Sequence, residues 1–210
     1  MNYAVLLLAA GKGTRSGLGY DKMFMVLKNG KTVLQHSMEL FLSDPRCQEI
    51  VVVTNKKDMP KILKSAESGH VVMVNGGVRR QDSVINGLMA IKEETVLIHD
   101  GARPYLSLDE IDALLEAMNT EEAAILGVAP RGSVKKVVDG YISKSIDKTT
   151  HVIAQTPQAF RTQFIIKCYL KAEQMRLEAD DDAEIVELVS QAKIKVVLGS
   201  RNNERINVVS

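Results

Sequence analysis

YAVLLLAAGKGTRSGLGYDK, Tyr3 to Lys22, runs from six consecutive apolar residues directly into a glycine-rich, basic loop. An apolar run with no polar alternation is what a strand covered on both faces requires, and such strands belong to parallel sheets flanked by helices. In those sheets ligands bind at the carboxyl ends of the strands, where this loop begins. Ala9, Ala10, Gly11 and Gly13 put no bulky side chain over the backbone, so its N–H groups can approach an anion closely. Lys12, Arg15 and Lys22 add positive charge. Arginine suits bidentate contact with phosphate and lysine acts as a point charge, and both meet the charge that grows during phosphoryl or nucleotidyl transfer. A solvated surface loop has the same composition, so the loop alone leaves both readings open.

Two familiar phosphate motifs do not fit. The dinucleotide fingerprint needs a third glycine, whereas Thr14, Arg15 and Ser16 follow Gly13. A Walker loop needs a hydroxyl residue after its lysine, and Lys12 is followed by Gly13.

Outward from the loop, short aliphatic runs at Ile50 to Thr54, Val71 to Val74, Val96 to Ile98 and Ala124 to Val128 read as further strands. Segments with helical spacing separate them: Val33 to Leu42, Met59 to Ala66, Arg80 to Ile91, and Leu108 to Met118 behind a cap at Ser107. Alternation of this kind predicts βαβ units, a mostly parallel sheet and right-handed crossovers. The rhythm breaks after Pro130. Val134 to Val138, Asp139-Gly140 and Tyr141 to Ile146 read as an antiparallel hairpin, a β-arm within about residues 132–150 that projects from the sheet as an oligomer contact. Thr162 to Gln174, Asp181 to Ser190 and Ile194 to Leu198 restore the pattern, with no repeat or linker.

The 210 residues suit one α/β domain spanning 1–210. A net charge of +1 gives no global field towards nucleic acid or an anionic membrane, and the few aromatics disfavour a base-stacking surface. No apolar run reaches bilayer length, and Met1 to Ala10 lacks the basic start of a secretory signal, so a cytoplasmic protein is expected. Cys47 and Cys168 form no metal-type spacing with each other or with the four histidines, and reduced thiols are expected.

Other blocks carry chemistry. Gly76-Gly77 precede Arg80 and Ser83 at a helix start, where an arginine and a hydroxyl can hold phosphate oxygens or a pyrimidine edge; a glycine turn with a serine cap has the same residues. Asp100 ends a strand beside the loop, placed either to bind Mg²⁺ together with phosphates or to cap the turn Gly101 to Pro104. His99 reads as structural, because a phosphate nucleophile needs no general base.

Taken together, AAGKGTR with Asp21-Lys22, GGVRRQDSVINGL at 76–88, HDGARP at 99–104 and QTPQAF at 155–160 resemble the 2-C-methyl-D-erythritol 4-phosphate cytidylyltransferases in order and spacing, over nearly the whole chain. The resemblance implies a Rossmann-like fold, Mg²⁺, and a homodimer held partly by an exchanged arm. It implies CTP as donor and a sugar-alcohol phosphate as acceptor. Arg15 and Lys22 become catalytic, and Ala9, Ala10, Gly11, Gly13, Gly77, Arg80, Ser83, Ala102 and Arg103 become nucleotide contacts. Asp100 becomes the metal ligand. Lys148, Asp181 and Arg205 would position the acceptor, Lys148 from the partner subunit.

The sequence departs from the family mainly around the acceptor. Lys148 stands where an arginine is usual, and Arg205 where a lysine is usual. Asp180-Asp181-Asp182-Ala183 replaces an element that begins with threonine, and Gly132-Ser133 replaces Asp-Thr. A ribitol-5-phosphate cytidylyltransferase, a non-catalytic nucleotide-binding protein and a nicotinamide-dependent reductase are the alternatives, the last disfavoured by the missing glycine.

Overall fold

The computed structural model describes residues 1–11, 22–63 and 70–206. Seven strands form one sheet in the order β3-β2-β1-β4-β8-β5-β9. The first strand, β1 (Tyr3–Leu8), lies between β2 (Cys47–Thr54) and β4 (Thr95–Asp100), parallel to both, and β3 (Val71–Asn75) extends the parallel set. Side chains of β1 alternate between two cores. Tyr3, Val5 and Leu7 pack with Met38 and Phe41 of α1 (Val33–Ser43) and with Ile111 and Leu114 of α4 (Leu108–Ala117). Ala4 and Leu6 face Val84 and Leu88 of α3 (Arg80–Leu88), Ile165 of α5 (Thr162–Gln174) and Val186 of α6 (Asp182–Val189). Helices therefore cover both faces, the arrangement that an unbroken apolar strand demands.

Several boundaries differ from the sequence reading. The α3 helix stops at Leu88, because Ala90 and Ile91 donate to the carbonyls of Gly87 and Leu88 in a tighter final turn. Ile91 is nevertheless buried, which is why the apolar period ran past the helix. Gly87 lets α3 lie close on the sheet: a Cβ there would collide with Leu6 and Val53. The short α2 is described over Met59–Leu63, and the rest of the segment expected to Ala66 lies outside the described residues. Ser107 caps α4 as expected, accepting from the Glu110 amide while Glu110 accepts from the Ser107 amide.

The larger correction is β8 (Ile153–Arg161), a long strand that the sequence reading did not assign. It lies antiparallel between β4 and β5 (Ala123–Val128), separating two strands that run the same way. Its two glutamines and Pro157 disguise it. Proline is tolerated because pairing with β4 ends at Gln158 and the register with β5 shifts between Ile125 and Gly127. The final strand β9 (Lys195–Leu198) pairs parallel with β5 at the edge.

The arm forms as expected. Strands β6 (Lys135–Val138) and β7 (Tyr141–Ser145) pair antiparallel as a separate ribbon. Asp139 and Gly140 both take positive φ, 50° and 83°, the geometry of a two-residue hairpin turn. Among the described residues no helix is long and apolar enough to cross a membrane.

Candidate active site at the carboxyl ends of β1 and β4

The strand order reverses direction between β1 and β4, and their last residues, Leu8 and Asp100, are register partners. A cleft at such a switch point is the usual ligand position in an open α/β sheet. The glycine loop leaves one strand and the Asp100 to Arg103 turn leaves the other. The Gly101 amide donates to the Leu8 carbonyl at 3.1 Å, so the two loops are joined at their roots.

Of the residues expected in this loop, Ala9 is buried with its amide on the Val53 carbonyl, Ala10 is half-buried, and Gly11 is exposed with open space around its α-carbon. Gly13 and Arg15 lie outside the described residues. Lys22 begins a single 3₁₀ turn, and its Nζ donates to the Ile206 carbonyl at 3.1 Å.

That contact introduces the C-terminal segment, residues 199–206, which crosses the site. Asn203, fully buried, donates through Nδ2 to the Thr156 carbonyl at 2.9 Å. Gln155 of β8 donates to the carbonyls of Ser200 and Asn203, and Glu110 of α4 accepts from the Ser200 amide. The Ile206 amide donates to the Ala102 carbonyl at 2.8 Å. So anchored, the segment brings Arg205 Nε to 2.8 Å from Asp100 Oδ2. Asp100 Oδ1 accepts from the Ala102 amide at 3.1 Å.

Arg103 sits beside this pair. One Nη donates to the Asn203 carbonyl at 2.8 Å, while its buried Nε has no hydrogen-bond partner among the described residues. Burial depresses its guanidinium below the ordinary arginine value; Asp100 opposes the shift and Arg205 adds to it. A half-buried guanidinium whose Nε lacks an acceptor among the described residues suits an anion.

His99 is wholly buried, and that burial pushes its imidazole down to about 4, so the ring is neutral. It bonds the Arg103 carbonyl through Nε2 and the Thr156 hydroxyl through Nδ1, in keeping with a structural part.

A second cluster gathers around the start of α3. The Gly77 amide donates to Ser83 Oγ at 3.0 Å, and a Cβ on Gly77 would collide with Asp82. Arg80 is held by a carboxylate of α6. Both of its Nη atoms bond Asp182, at 2.9 and 2.6 Å, and Tyr169 donates to the same carboxylate at 2.5 Å. Burial works against the Arg80 charge, but Asp182 outweighs it and holds the group above its ordinary value. Asp181 caps α6, accepting from the Glu184 amide and from Gln158 Nε2. Lys148 is exposed beyond β7, away from this network.

The structure thus brings together Ala9, Ala10, Gly11, Lys22, Asp100, Ala102, Arg103 and Arg205. Gly77, Arg80, Ser83 and Asp181 form a neighbouring set, and Lys148 stands on the arm. Sequence reading gave no duty to Thr156, Gln155, Glu110 or Asp182. Thr156 and Gln155 fall within the QTPQAF block, the one signal that pointed towards them. Among the described residues no three His, Cys, Asp or Glu side chains gather as a metal cluster.

The family model for 2-C-methyl-D-erythritol 4-phosphate cytidylyltransferase matches residues 3–209. The enzyme of that name from Bacillus licheniformis is 36% identical over 98% of this chain and 90% of its own length. Its counterpart from Bacillus velezensis is 35% identical over the same shares. Among solved structures, 4-diphosphocytidyl-2C-methyl-D-erythritol synthase from Anaerococcus prevotii superposes with a TM-score of 0.89 at 28% identity, covering 98% of this chain and 90% of that one. The cytidylyltransferase from Francisella tularensis gives 0.82 at 30% identity, covering 98% and 94%.

Proposed function

The chain belongs to the 2-C-methyl-D-erythritol 4-phosphate cytidylyltransferase family, whose members transfer CMP from CTP to that acceptor in the nonmevalonate route to isoprenoids, and we propose that the β1–β4 cleft is where it does so. The observation that carries this placement is the meeting of Ala9 to Gly11, Lys22 and Asp100 at one switch point, with the half-buried Arg103 beside them, its Nε short of an acceptor among the described residues.

In this reading the CTP phosphates lie over the backbone of Ala9, Ala10, Gly11 and Gly13, with Gly77, Ser83, Ala102 and Arg103 holding the nucleoside end. Arg80 contributes by fixing the start of α3 through Asp182, or by exchanging that carboxylate for the nucleotide. An oxygen of the acceptor phosphate attacks the α-phosphorus in line, the bond to the bridging oxygen breaks, and pyrophosphate leaves. Arg15 and Lys22 meet the charge that accumulates on the phosphoryl oxygens.

The family uses a divalent metal, and Mg²⁺ suits Asp100, whose Oδ2 already accepts a cation, the Arg205 guanidinium. One carboxylate with waters and substrate phosphates is an ordinary Mg²⁺ environment. Bound there, the ion would neutralise phosphate charge. Arg205, displaced from Asp100, then becomes available to the acceptor phosphate together with Lys148 and Asp181.

The homodimer expected from the arm fits its exposed apolar side chains, Val137, Val138, Tyr141 and Ile142, on a two-stranded ribbon that is marginal alone. The arm then delivers Lys148 to the partner's cleft. Phosphorylated metabolites as substrates accord with a cytoplasmic location.

Acceptor profiling tests the reading. With CTP and Mg²⁺, pyrophosphate release is expected with 2-C-methyl-D-erythritol 4-phosphate and little with ribitol 5-phosphate; the reverse preference would move the assignment to the second acceptor. Equilibrium sedimentation should give a dimer, and a monomer with full activity would remove Lys148 from the site.

A further inference from the structure

Thr156 of β8 touches both sides of the Asp100–Arg205 pair. Its hydroxyl accepts from the Asp100 amide at 3.0 Å and lies 3.0 Å from His99 Nδ1. Its carbonyl accepts from Asn203 Nδ2, two residues before Arg205, at 2.9 Å. The Arg103 carbonyl can only accept, so His99 Nε2 donates to it. The Thr156 hydroxyl, which accepts from the Asp100 N–H, bonds His99 Nδ1 on its other side. One chain of hydrogen bonds therefore joins the Asp100 amide, the Thr156 hydroxyl, the His99 ring and the Arg103 carbonyl, tying together the two ends of the turn that carries Asp100, Ala102 and Arg103.

We propose that Thr156 is a positioning residue for cytidylyl transfer: its hydroxyl, through His99, fixes the turn bearing Asp100, and its carbonyl fixes the segment bearing Arg205. The proposal rests on the assignment of Asp100 to the metal and of Arg103 to the nucleotide. Hydrogen-bond partners that orient metal-binding groups commonly change metal affinity or activity by about 10- to 100-fold when removed.

A satisfied polar cluster with only a stabilising part has different consequences, so the test reads metal binding as well as turnover. Thr156→Val keeps shape and carbonyl but removes the hydroxyl; Thr156→Ser keeps the hydroxyl. Mn²⁺ affinity with CTP present, followed by water proton relaxation, is expected to weaken about tenfold in Thr156→Val, with a comparable or larger fall in kcat. Thr156→Ser should stay within about twofold of the parent in both. His99→Gln, which keeps a donor for the Arg103 carbonyl and loses the ring partner of the Thr156 hydroxyl, is expected to behave like Thr156→Val and serves if that variant does not fold. A lower Tm in Thr156→Val and His99→Gln with Mn²⁺ affinity and kcat unchanged would overturn the proposal. Asp100→Asn is the parallel control. If it alone loses metal affinity, the assignment of Asp100 stands and the role of Thr156 falls; if it retains both affinity and turnover, both fall.

Discussion

Each end of the central sheet carries an aspartate held by an arginine, and the two pairs are built in opposite ways. At the amino end Asp44, just beyond α1, is 2% exposed and nearly saturated: it accepts from the Arg46 amide and guanidinium and from the Tyr3 hydroxyl. Arg46 is two residues away and reaches on to Asp112 of α4 at 2.7 Å. At the carboxyl end Asp100 is 18% exposed, has one backbone donor among the described residues, and is paired with an arginine from the far end of the chain that is itself 45% exposed. A carboxylate with every lone pair engaged by its neighbours locks a structure. One with a replaceable partner can trade that partner for a ligand.

Substitution of the two aspartates should separate these roles. Asp100→Asn keeps shape and removes the charge. We expect kcat to fall by about a hundredfold or more, the usual scale for losing one electrostatic contact to a transition state, with little change in Tm. Asp44→Ala should do the reverse. It strands the Tyr3 hydroxyl, while Arg46, one third exposed, partly recovers solvent. A loss of about 2 kcal/mol is expected, roughly 5 °C in Tm for a chain of this size, with kcat unchanged. Thermal unfolding and steady-state kinetics on both variants check the comparison, which fails if the two profiles coincide.

The contrast also marks what the sequence could reveal. The first strand and the Asp-Gly hairpin were legible because each depends on neighbouring residues: apolar continuity in one, a turn dipeptide in the other. The cap at Ser107 was legible for the same reason. Strand β8 was not, since Pro157 and the polar Gln155 and Gln158 break the period, and their tolerance depends on where β4 stops and β5 shifts register. Asp100 could be placed at a strand end, but its pairing with Arg205 depends on a distant segment pinned by Asn203, Gln155 and Glu110. Arg80 was read as a nucleotide contact from its position after two glycines. Its grip on Asp182 is a tertiary fact carried by α6.

A smaller effect tests exchangeability directly. Arg205→Ala removes the cation paired with Asp100 Oδ2. Because the pair is partly solvated, divalent binding in the absence of acceptor should tighten by no more than about fivefold. The KM for the acceptor should rise in the same variant, and Arg205→Lys should lie between it and the parent. Mn²⁺ titration with and without acceptor reads both changes. Tighter metal with an unchanged acceptor KM would leave Arg205 as a stand-in cation alone.

The smallest effect is acidic and belongs to the amino end. Burial alone would raise the Asp44 carboxyl, but the Arg46 and Tyr3 hydrogen bonds outweigh it and hold the group below its ordinary value. The unfolded chain therefore takes up this proton at a higher pH than the folded one. The stabilisation is fully present above about pH 4, where an ordinary aspartate is ionised, and is lost as the pH falls from there through the folded value. Asp44→Asn cannot titrate, so its stability should decline less steeply than the parent's between about pH 4 and pH 3. Denaturant unfolding at a series of pH values measures this slope. Parallel curves for the two proteins would mean that Asp44 titrates alike in the folded and unfolded chains, and that its hydrogen bonds to Arg46 and Tyr3 do not lock the amino end.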